Sequence, residues 1–177
     1  GFYVNATQDP WAPHFQMWEY ISAELPSVIV ENFNIDMSRQ SITGHSMGGH
    51  GALTLALRNP GHFASVSAFA PICNPTQSDW GRKQLGAYLG QDEAAWLKHD
   101  ATCLMREKGA TCPILIDTGT SDQFYDLLGT AAFASAVAEQ KAAASVRLQD
   151  GYDHSYFFVS TFMPDHIEFH ANALLGK

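Results

Sequence analysis

The chain alternates short apolar runs with longer segments of helical periodicity. Four runs rich in valine, isoleucine and leucine have the length of buried strands, at residues 41–43, 65–70, 113–117 and 145–148. Helix-length segments lie between and after them, at residues 47–58, 92–100, 123–141 and 156–175. Strands that alternate with helices are typical of parallel βαβ units. We therefore predict an α/β fold, with a mostly parallel sheet and helices on both faces.

A further helix is predicted before the first strand. The apolar positions Trp18, Ile21 and Leu25 recur there at helical spacing. Pro26 disturbs this helix because proline has no N–H to donate to the preceding turn. We expect a long, bent helix that ends near Phe33.

Composition narrows the class of protein. The 177 residues are 46% apolar and 16% charged, and no Pro/Gly/Ser-rich stretch divides them, so we expect a single domain over residues 1–177. The net charge of -8 argues against nucleic-acid binding, because phosphate backbones are bound by clustered lysine and arginine. The chain contains no apolar run of membrane-spanning length and does not start like a signal peptide. We expect no membrane association and a cytoplasmic location.

The number and spacing of the cysteines are also consistent with a cytoplasmic location. Cys73, Cys103 and Cys112 are odd in number and form neither a C-x-x-C pair nor a zinc-like spacing. We expect reduced thiols, as is usual in the cytosol, with a disulfide between Cys103 and Cys112 as the minor alternative.

Candidate chemistry begins at the pentapeptide Gly-His-Ser-Met-Gly, residues 44–48. It stands between a strand-like run and a helix-like run, which is the context that a G-x-S-x-G nucleophile turn requires. The sequence therefore predicts that Ser46 lies on a sharp strand-to-helix turn as a nucleophile. The backbone N–H of Met47, at the start of the helix, is the expected donor to an oxyanion.

An aspartate and a histidine follow the serine in the order that α/β-hydrolases use. Asp122 lies in a turn-rich loop after the third predicted strand, and His154 lies in the loop after the fourth. Carboxyl ends of parallel strands meet at one edge of a sheet, so we expect Ser46, Asp122 and His154 to converge. His154 is the expected base, and Asp122 is expected to orient it. Asp117, within a strand run, is the alternative carboxylate and more consistent with a structural role.

Other polar and aromatic residues are weaker candidates. His166 and His170 are four residues apart on a predicted helix, but they lack an H-E-x-x-H pattern, so we expect a solvated helix face and no metal site. We assign His45, beside the serine, to the substrate pocket. Trp80, in the loop after the second predicted strand, is placed to form a wall of the same pocket.

Several segments resemble the S-formylglutathione hydrolase (esterase D) family. They are residues 44–52 (GHSMGGHGA), 67–75 (SAFAPICNP), 80–81 (WG), 122–124 (DQF) and 151–156 (GYDHSY). The resemblance implies a cytosolic serine thioesterase of the α/β-hydrolase fold. Such an enzyme cleaves S-formylglutathione to glutathione and formate in formaldehyde detoxification, needs no cofactor, is often a homodimer and also acts on small aryl esters.

By the same resemblance, Ser46 is the nucleophile, His154 the base, Asp122 the acid, and Met47 one oxyanion donor. Trp80 matches a tryptophan near the acyl pocket of the family.

The chain differs from members of this family at its amino terminus. Members of the family carry further strands, and a loop with a second oxyanion N–H, before the segment that matches residues 2–4 here. We therefore expect an N-terminally incomplete domain with one uncovered sheet edge. Two other functions stay open: a small-ester carboxylesterase or acyltransferase of the same fold, and a non-catalytic fragment of such an enzyme.

Overall fold

The computed structural model describes all residues from 1 to 177. Four strands form one parallel sheet in the order β1-β2-β3-β4, which is also their order along the chain. Their bounds are Ser41–His45 (β1), Ser65–Phe69 (β2), Ile114–Gly119 (β3) and Ala144–Gln149 (β4). The α/β class and all four predicted strands are confirmed.

Helices connect and cover these strands. Their bounds are Met17–Glu19 (α1), Leu25–Asn32 (α2), Met47–Arg58 (α3), Asp79–Leu89 (α4), Glu93–Leu97 (α5), Ala101–Lys108 (α6), Tyr125–Leu128 (α7), Thr130–Gln140 (α8) and Tyr156–Leu174 (α9). The helix predicted over residues 123–141 is in fact two helices. Gly129 separates them with a left-handed φ of 71°, a conformation that breaks a helix.

The predicted long, bent helix at the amino-terminal end is confirmed. A π-helical turn, Tyr20–Glu24, joins α1 to α2 without a break. Pro26 is the second residue of α2, and within this continuous helix it has no N–H to donate to the π turn before it. The bend therefore comes from a π turn placed directly before the proline.

Two helices, α4 and α6, were not predicted. Both begin at polar caps: the Ser78 hydroxyl accepts from Gly81 N–H at 3.1 Å, and the Asp100 carboxylate accepts from Cys103 N–H at 3.0 Å. Caps of this kind are the signal in the sequence that could have marked them.

The two faces of the sheet have different chemistry, because side chains alternate along each strand. On one face the strands pack against α3, α6 and α8 in an apolar core, which includes Leu53, Val66, Ala68, Leu104, Ile114, Ile116 and Phe133. On the other face the serines of β2 lie under α9 and bind it by hydrogen bonds: Ser65 to His170, and Ser67 to both His166 and His170.

β1 and β4 are the two edge strands, because each pairs with one neighbour only. The outer side of β1 is the uncovered edge that we expected. An apolar groove of about 530 Å³ follows this edge, lined by residues that include Ile29, Ile42 and Phe63. The carboxyl ends of β1, β3 and β4 lead instead to Ser46, Asp122 and His154, which places the candidate site at that end of the sheet.

Candidate active site

Ser46 occupies a strained turn between β1 and α3. Its backbone has φ 58° and ψ -117°, a region that residues with a side chain rarely adopt. The Ser46 N–H donates to the Phe69 carbonyl at 2.8 Å, and the Ser46 carbonyl accepts from the N–H of His50 at 3.0 Å. These bonds tie the turn to β2 and to α3, and they hold the serine in the predicted strand-to-helix geometry.

Glycines allow this turn because strand and helix backbones approach closely. A Cβ atom on Gly44 would lie 2.2 Å from the Gly48 carbonyl oxygen. A Cβ atom on Gly49 would lie 2.9 Å from Cβ of Pro71, in the segment after β2. Any larger side chain at either position would push α3 away from the sheet and move Ser46.

Asp122 and His154 form a short hydrogen bond. The two groups are 32 residues apart in sequence, yet Nδ1 of His154 lies 2.6 Å from Oδ2 of Asp122. The Asp122 side chain is fully buried, and its Oδ1 accepts from the Phe124 N–H at 2.8 Å. Since an ionised carboxylate can only accept, the proton of this bond is on Nδ1 of His154, and Nε2 is the ring nitrogen left for another partner.

The loops that carry this pair are fixed to each other by the backbone. The Ser121 N–H donates to the Tyr152 carbonyl at 3.0 Å. Gly119, at the end of β3, allows the contact, because a Cβ atom there would lie 2.1 Å from the same carbonyl oxygen. The Asp122 loop and the His154 loop therefore form one rigid unit.

His45 joins the serine turn to this unit. Its ring centroid is 4.5 Å from that of His154 and 6.1 Å from that of Tyr156. Burial lowers the pKa of His45, and the nearby His154 lowers it further, so His45 is neutral at pH 7. Its Nε2 is buried without a hydrogen-bond partner. The Ser46 hydroxyl makes no hydrogen bond in the structure, so its proton transfer to His154 stays a prediction.

An aromatic wall lies on another side of His154. The Phe124 ring meets His154 edge to face at 5.1 Å, and Trp80 stacks on Phe124 at 6.3 Å between centroids. Trp80 is therefore one ring away from His154, and its role in a substrate pocket stays a prediction. Phe124 itself was not predicted to have a role, although it directly follows the Asp122 turn.

Met47 is the first residue of α3, where no earlier carbonyl of the helix can accept its N–H. This position agrees with the expected oxyanion donor, at the positive end of the helix dipole. Whether it serves as that donor stays a prediction.

His166 and His170 correct one expectation. They do not form a solvated helix face: His166 is only 1% exposed and stacks on Phe69 at 3.8 Å between ring centroids. Burial lowers the pKa of His170 to about 4, and the neighbouring His166 adds to the shift. The expectation was wrong because α9 turns its polar side towards the serines of β2.

The remaining expectations concern cysteines, metals and membranes. All three cysteines are free thiols, so the alternative disulfide does not form. Burial raises the pKa of Cys103 to about 11, which makes it a poor nucleophile. No cluster of histidine, cysteine and carboxylate side chains has the geometry of a metal site. None of the helices is both long and apolar enough to cross a bilayer.

The parallel sheet, and the serine on a strained turn at its carboxyl end, define an α/β-hydrolase fold. A family model described as "Putative esterase" matches residues 1–169, and the chain belongs to this Esterase family.

Named relatives agree with this assignment. The chain is 60% identical to S-formylglutathione hydrolase of Paracoccus denitrificans over 98% of its own length and 62% of that protein. It is 52% identical to the mouse S-formylglutathione hydrolase, over 98% of the chain and 63% of that protein. It superposes with a TM-score of 0.93 on the S-formylglutathione hydrolase of Agrobacterium tumefaciens, at 50% identity, and covers 98% of this chain and 63% of that one. The chain thus spans less than two thirds of these relatives.

Proposed function

We propose that the chain carries the acyl-transfer machinery of a serine hydrolase, with Ser46 as nucleophile, His154 as general base and Asp122 as its partner. The observation that carries the proposal is the 2.6 Å bond from His154 Nδ1 to buried Asp122. It is supported by the strained turn at Ser46 and by the contact of the adjacent His45 ring with His154. A carboxylate on Nδ1 fixes the tautomer in which Nε2 is free to accept a proton, and it stabilises the imidazolium that results.

The reaction divides into two steps. Ser46 Oγ attacks the carbonyl carbon of a thioester or ester while His154 Nε2 takes the hydroxyl proton. The tetrahedral oxyanion accepts a hydrogen bond from the Met47 N–H. The carbon–sulfur or carbon–oxygen bond then breaks, and His154 returns the proton to the leaving group. In the second step His154 deprotonates water, the hydroxide attacks the acyl-enzyme, and Ser46 regains the proton.

We propose S-formylglutathione as the substrate, because relatives with 50% to 60% identity bear the name S-formylglutathione hydrolase. The stack of Phe124 and Trp80 is consistent with that assignment, because it places two aromatic rings on one side of His154. Formate and glutathione are then the products, consistent with a cytoplasmic enzyme of formaldehyde detoxification. A homodimer is the assembly we propose.

Ser46→Ala tests the proposed function directly. We expect hydrolysis of both S-formylglutathione and p-nitrophenyl acetate to fall to background, because residues of a triad act as a unit. Ser135→Ala, at an exposed position of α8, is the matched control. Turnover near the wild-type rate in Ser46→Ala would remove this serine from the mechanism.

The ratio of kcat/KM for the two substrates separates the thioesterase from the small-ester esterase. A preference for S-formylglutathione supports the proposal, whereas a preference for the aryl ester supports the alternative.

The activity of this chain depends on whether its 177 residues contain every group of the active site. If a second oxyanion donor lies outside these residues, turnover falls on the order of a hundred- to a thousandfold relative to a complete site. Reaction with a fluorophosphonate separates a weak enzyme from a non-catalytic fragment, since it needs an activated serine but little turnover. We expect one label per chain, on Ser46. Failure to label the native protein would favour the non-catalytic fragment.

A further inference from the structure

Asp117 is the centre of a buried hydrogen-bond network that the proposed reaction does not use. Its side chain has no exposed surface and accepts four hydrogen bonds. Arg147 donates two of them, from Nε at 2.8 Å and from a terminal nitrogen at 2.5 Å. Gln149 donates at 2.7 Å and His166 Nε2 donates at 2.9 Å. Every lone pair of this carboxylate therefore has a partner.

The position of Asp117 connects it to the candidate site. It lies on β3, five residues before Asp122, and it faces Arg147 directly in the register of β3 and β4. Gln149 ends β4, five residues before His154. Arg147 also binds Asp165 of α9 at 2.9 Å, the helix that begins directly after the His154 loop. Asp117 thus joins β3 and β4, whose following loops carry Asp122 and His154, to the helix that comes after the His154 loop.

The network continues from Asp117 across the sheet. His166 Nδ1 lies 2.8 Å from the Ser67 hydroxyl, which lies 2.7 Å from His170 Nε2. His170 Nδ1 lies 2.8 Å from the Ser65 hydroxyl, and that hydroxyl lies 2.7 Å from the hydroxyl of Ser41 on the edge strand. All four strands and α9 are therefore linked by side-chain hydrogen bonds.

The charge of Asp117 fixes which group donates in the bond to His166. Burial alone would raise the pKa of Asp117, but the bonds from His166, Arg147 and Gln149 lower it to about 2, so it is an ionised acceptor. His166 must then carry its proton on Nε2.

In one arrangement that satisfies every bond, Nδ1 of His166 accepts from the Ser67 hydroxyl. Ser67 in turn accepts from Nε2–H of His170, whose Nδ1 accepts from Ser65. The opposite tautomer of His170 would take the Ser67 proton and leave Nδ1 of His166 without a donor.

We infer that Asp117 is a positioning residue for the Asp122–His154 pair. It acts through Arg147, Gln149 and His166, which tie β3 and β4 to each other and to the middle of α9. The inference depends on the proposed function only for its labelling readout. Directional bonds set distances within a few tenths of an ångström, and a misplacement of 1 Å in a catalytic group costs about a hundredfold in rate.

The test is Asp117→Asn, whose amide nitrogen presents donors to the donors of Arg147 and His166. Ile116→Ala is the matched control, because Ile116 is the neighbour on the same strand and packs in the apolar core on the other face. Gln149→Met is a milder second variant, which removes one bond to Asp117 and keeps Arg147. Each is compared by the NMR signal of the His154 Nδ1 proton, by the nitrogen shifts of His166 and by the rate of fluorophosphonate labelling.

We expect His166 to carry its proton on Nε2 in the wild type. We expect Asp117→Asn to shift or broaden the His154 signal and to slow labelling about ten- to a hundredfold, with a smaller effect in Gln149→Met and none in Ile116→Ala. An unchanged His154 signal in both polar variants, or an equal loss in Ile116→Ala, would overturn the inference. A wild type that shows the His154 signal but takes no label would contradict the proposed function alone.

Discussion

The two faces of the sheet are built from alternate residues of the same strands, yet they are held by different forces. On the α3 side, Val66 and Ala68 of β2 pack into an apolar core. On the α9 side, Ser67 and its neighbours bind two histidines through hydrogen bonds of 2.7 to 2.8 Å. Dispersion contacts are non-directional and tolerate changes that conserve volume, whereas hydrogen bonds fix both distance and angle. The hydrogen-bonded face is the one that contains the Asp117 network, through which we infer that His154 is positioned.

Asp117→Asn is expected to lower the free energy of unfolding more than any other substitution on either face. The substitution leaves Arg147 and His166 facing an amide in place of a buried carboxylate, and breaking a buried ion pair costs about 3–5 kcal/mol in the free energy of unfolding. Urea unfolding at pH 7 measures the change. A loss below about 1 kcal/mol would mean that the polar face is as tolerant as the apolar one.

Ser67→Ala is expected to have the next largest effect. It removes the hydroxyl that joins His166 to His170, and each buried group left without a partner costs about 1–3 kcal/mol. Ser145→Ala is the matched control, since Ser145 is exposed on β4 and makes no side-chain hydrogen bond. Equal stabilities of the two variants in urea would show that Ser67 contributes nothing to the network.

These residues also show how far the sequence could predict the structure. The strands were predicted because they are short runs rich in valine, isoleucine and leucine, and α3 and α9 because helix-length segments lie between and after those runs. Ser46, Asp122 and His154 were found because each follows a strand at its carboxyl end. The Asp117–Arg147–His166 cluster was not predicted, since its members are 30 and 49 residues from Asp117 and nothing local marks their contact. The alternation of serine with valine and alanine in β2 was the one local sign of a polar face.

The stability of the polar face is expected to depend on pH, because it contains groups whose pKa differs between the folded and the unfolded protein. A carboxylate whose pKa is lower in the folded protein stabilises it above the unfolded value of 3.8, and this contribution is lost as the pH falls towards the folded pKa of about 2. For Asp117 the contribution is about 2 kcal/mol. His170, whose folded pKa is about 4, removes further stability as the pH falls from 6.5 to about 4.

Urea unfolding at a series of pH values between 7 and 2 measures the loss of stability from both His170 and Asp117. The wild type and Asp117→Asn should converge in stability as the pH falls below about 4, because the protonated aspartate no longer binds Arg147 as an ion. A constant difference between them over that range would contradict the role of the ionised carboxylate.

The smallest effect is expected on the apolar face, from Ile116→Val. The substitution deletes one buried methyl group next to Asp117 in sequence, on the opposite side of β3, and costs about 0.5–1.5 kcal/mol. The His154 signal and the rate of Ser46 labelling should keep their wild-type values, because a small cavity in a non-directional core relaxes without moving the strand ends. If the signal of His154 instead changed as much as in Gln149→Met, the two faces would be mechanically coupled, and the accuracy of the site would depend on the whole core rather than on its polar side.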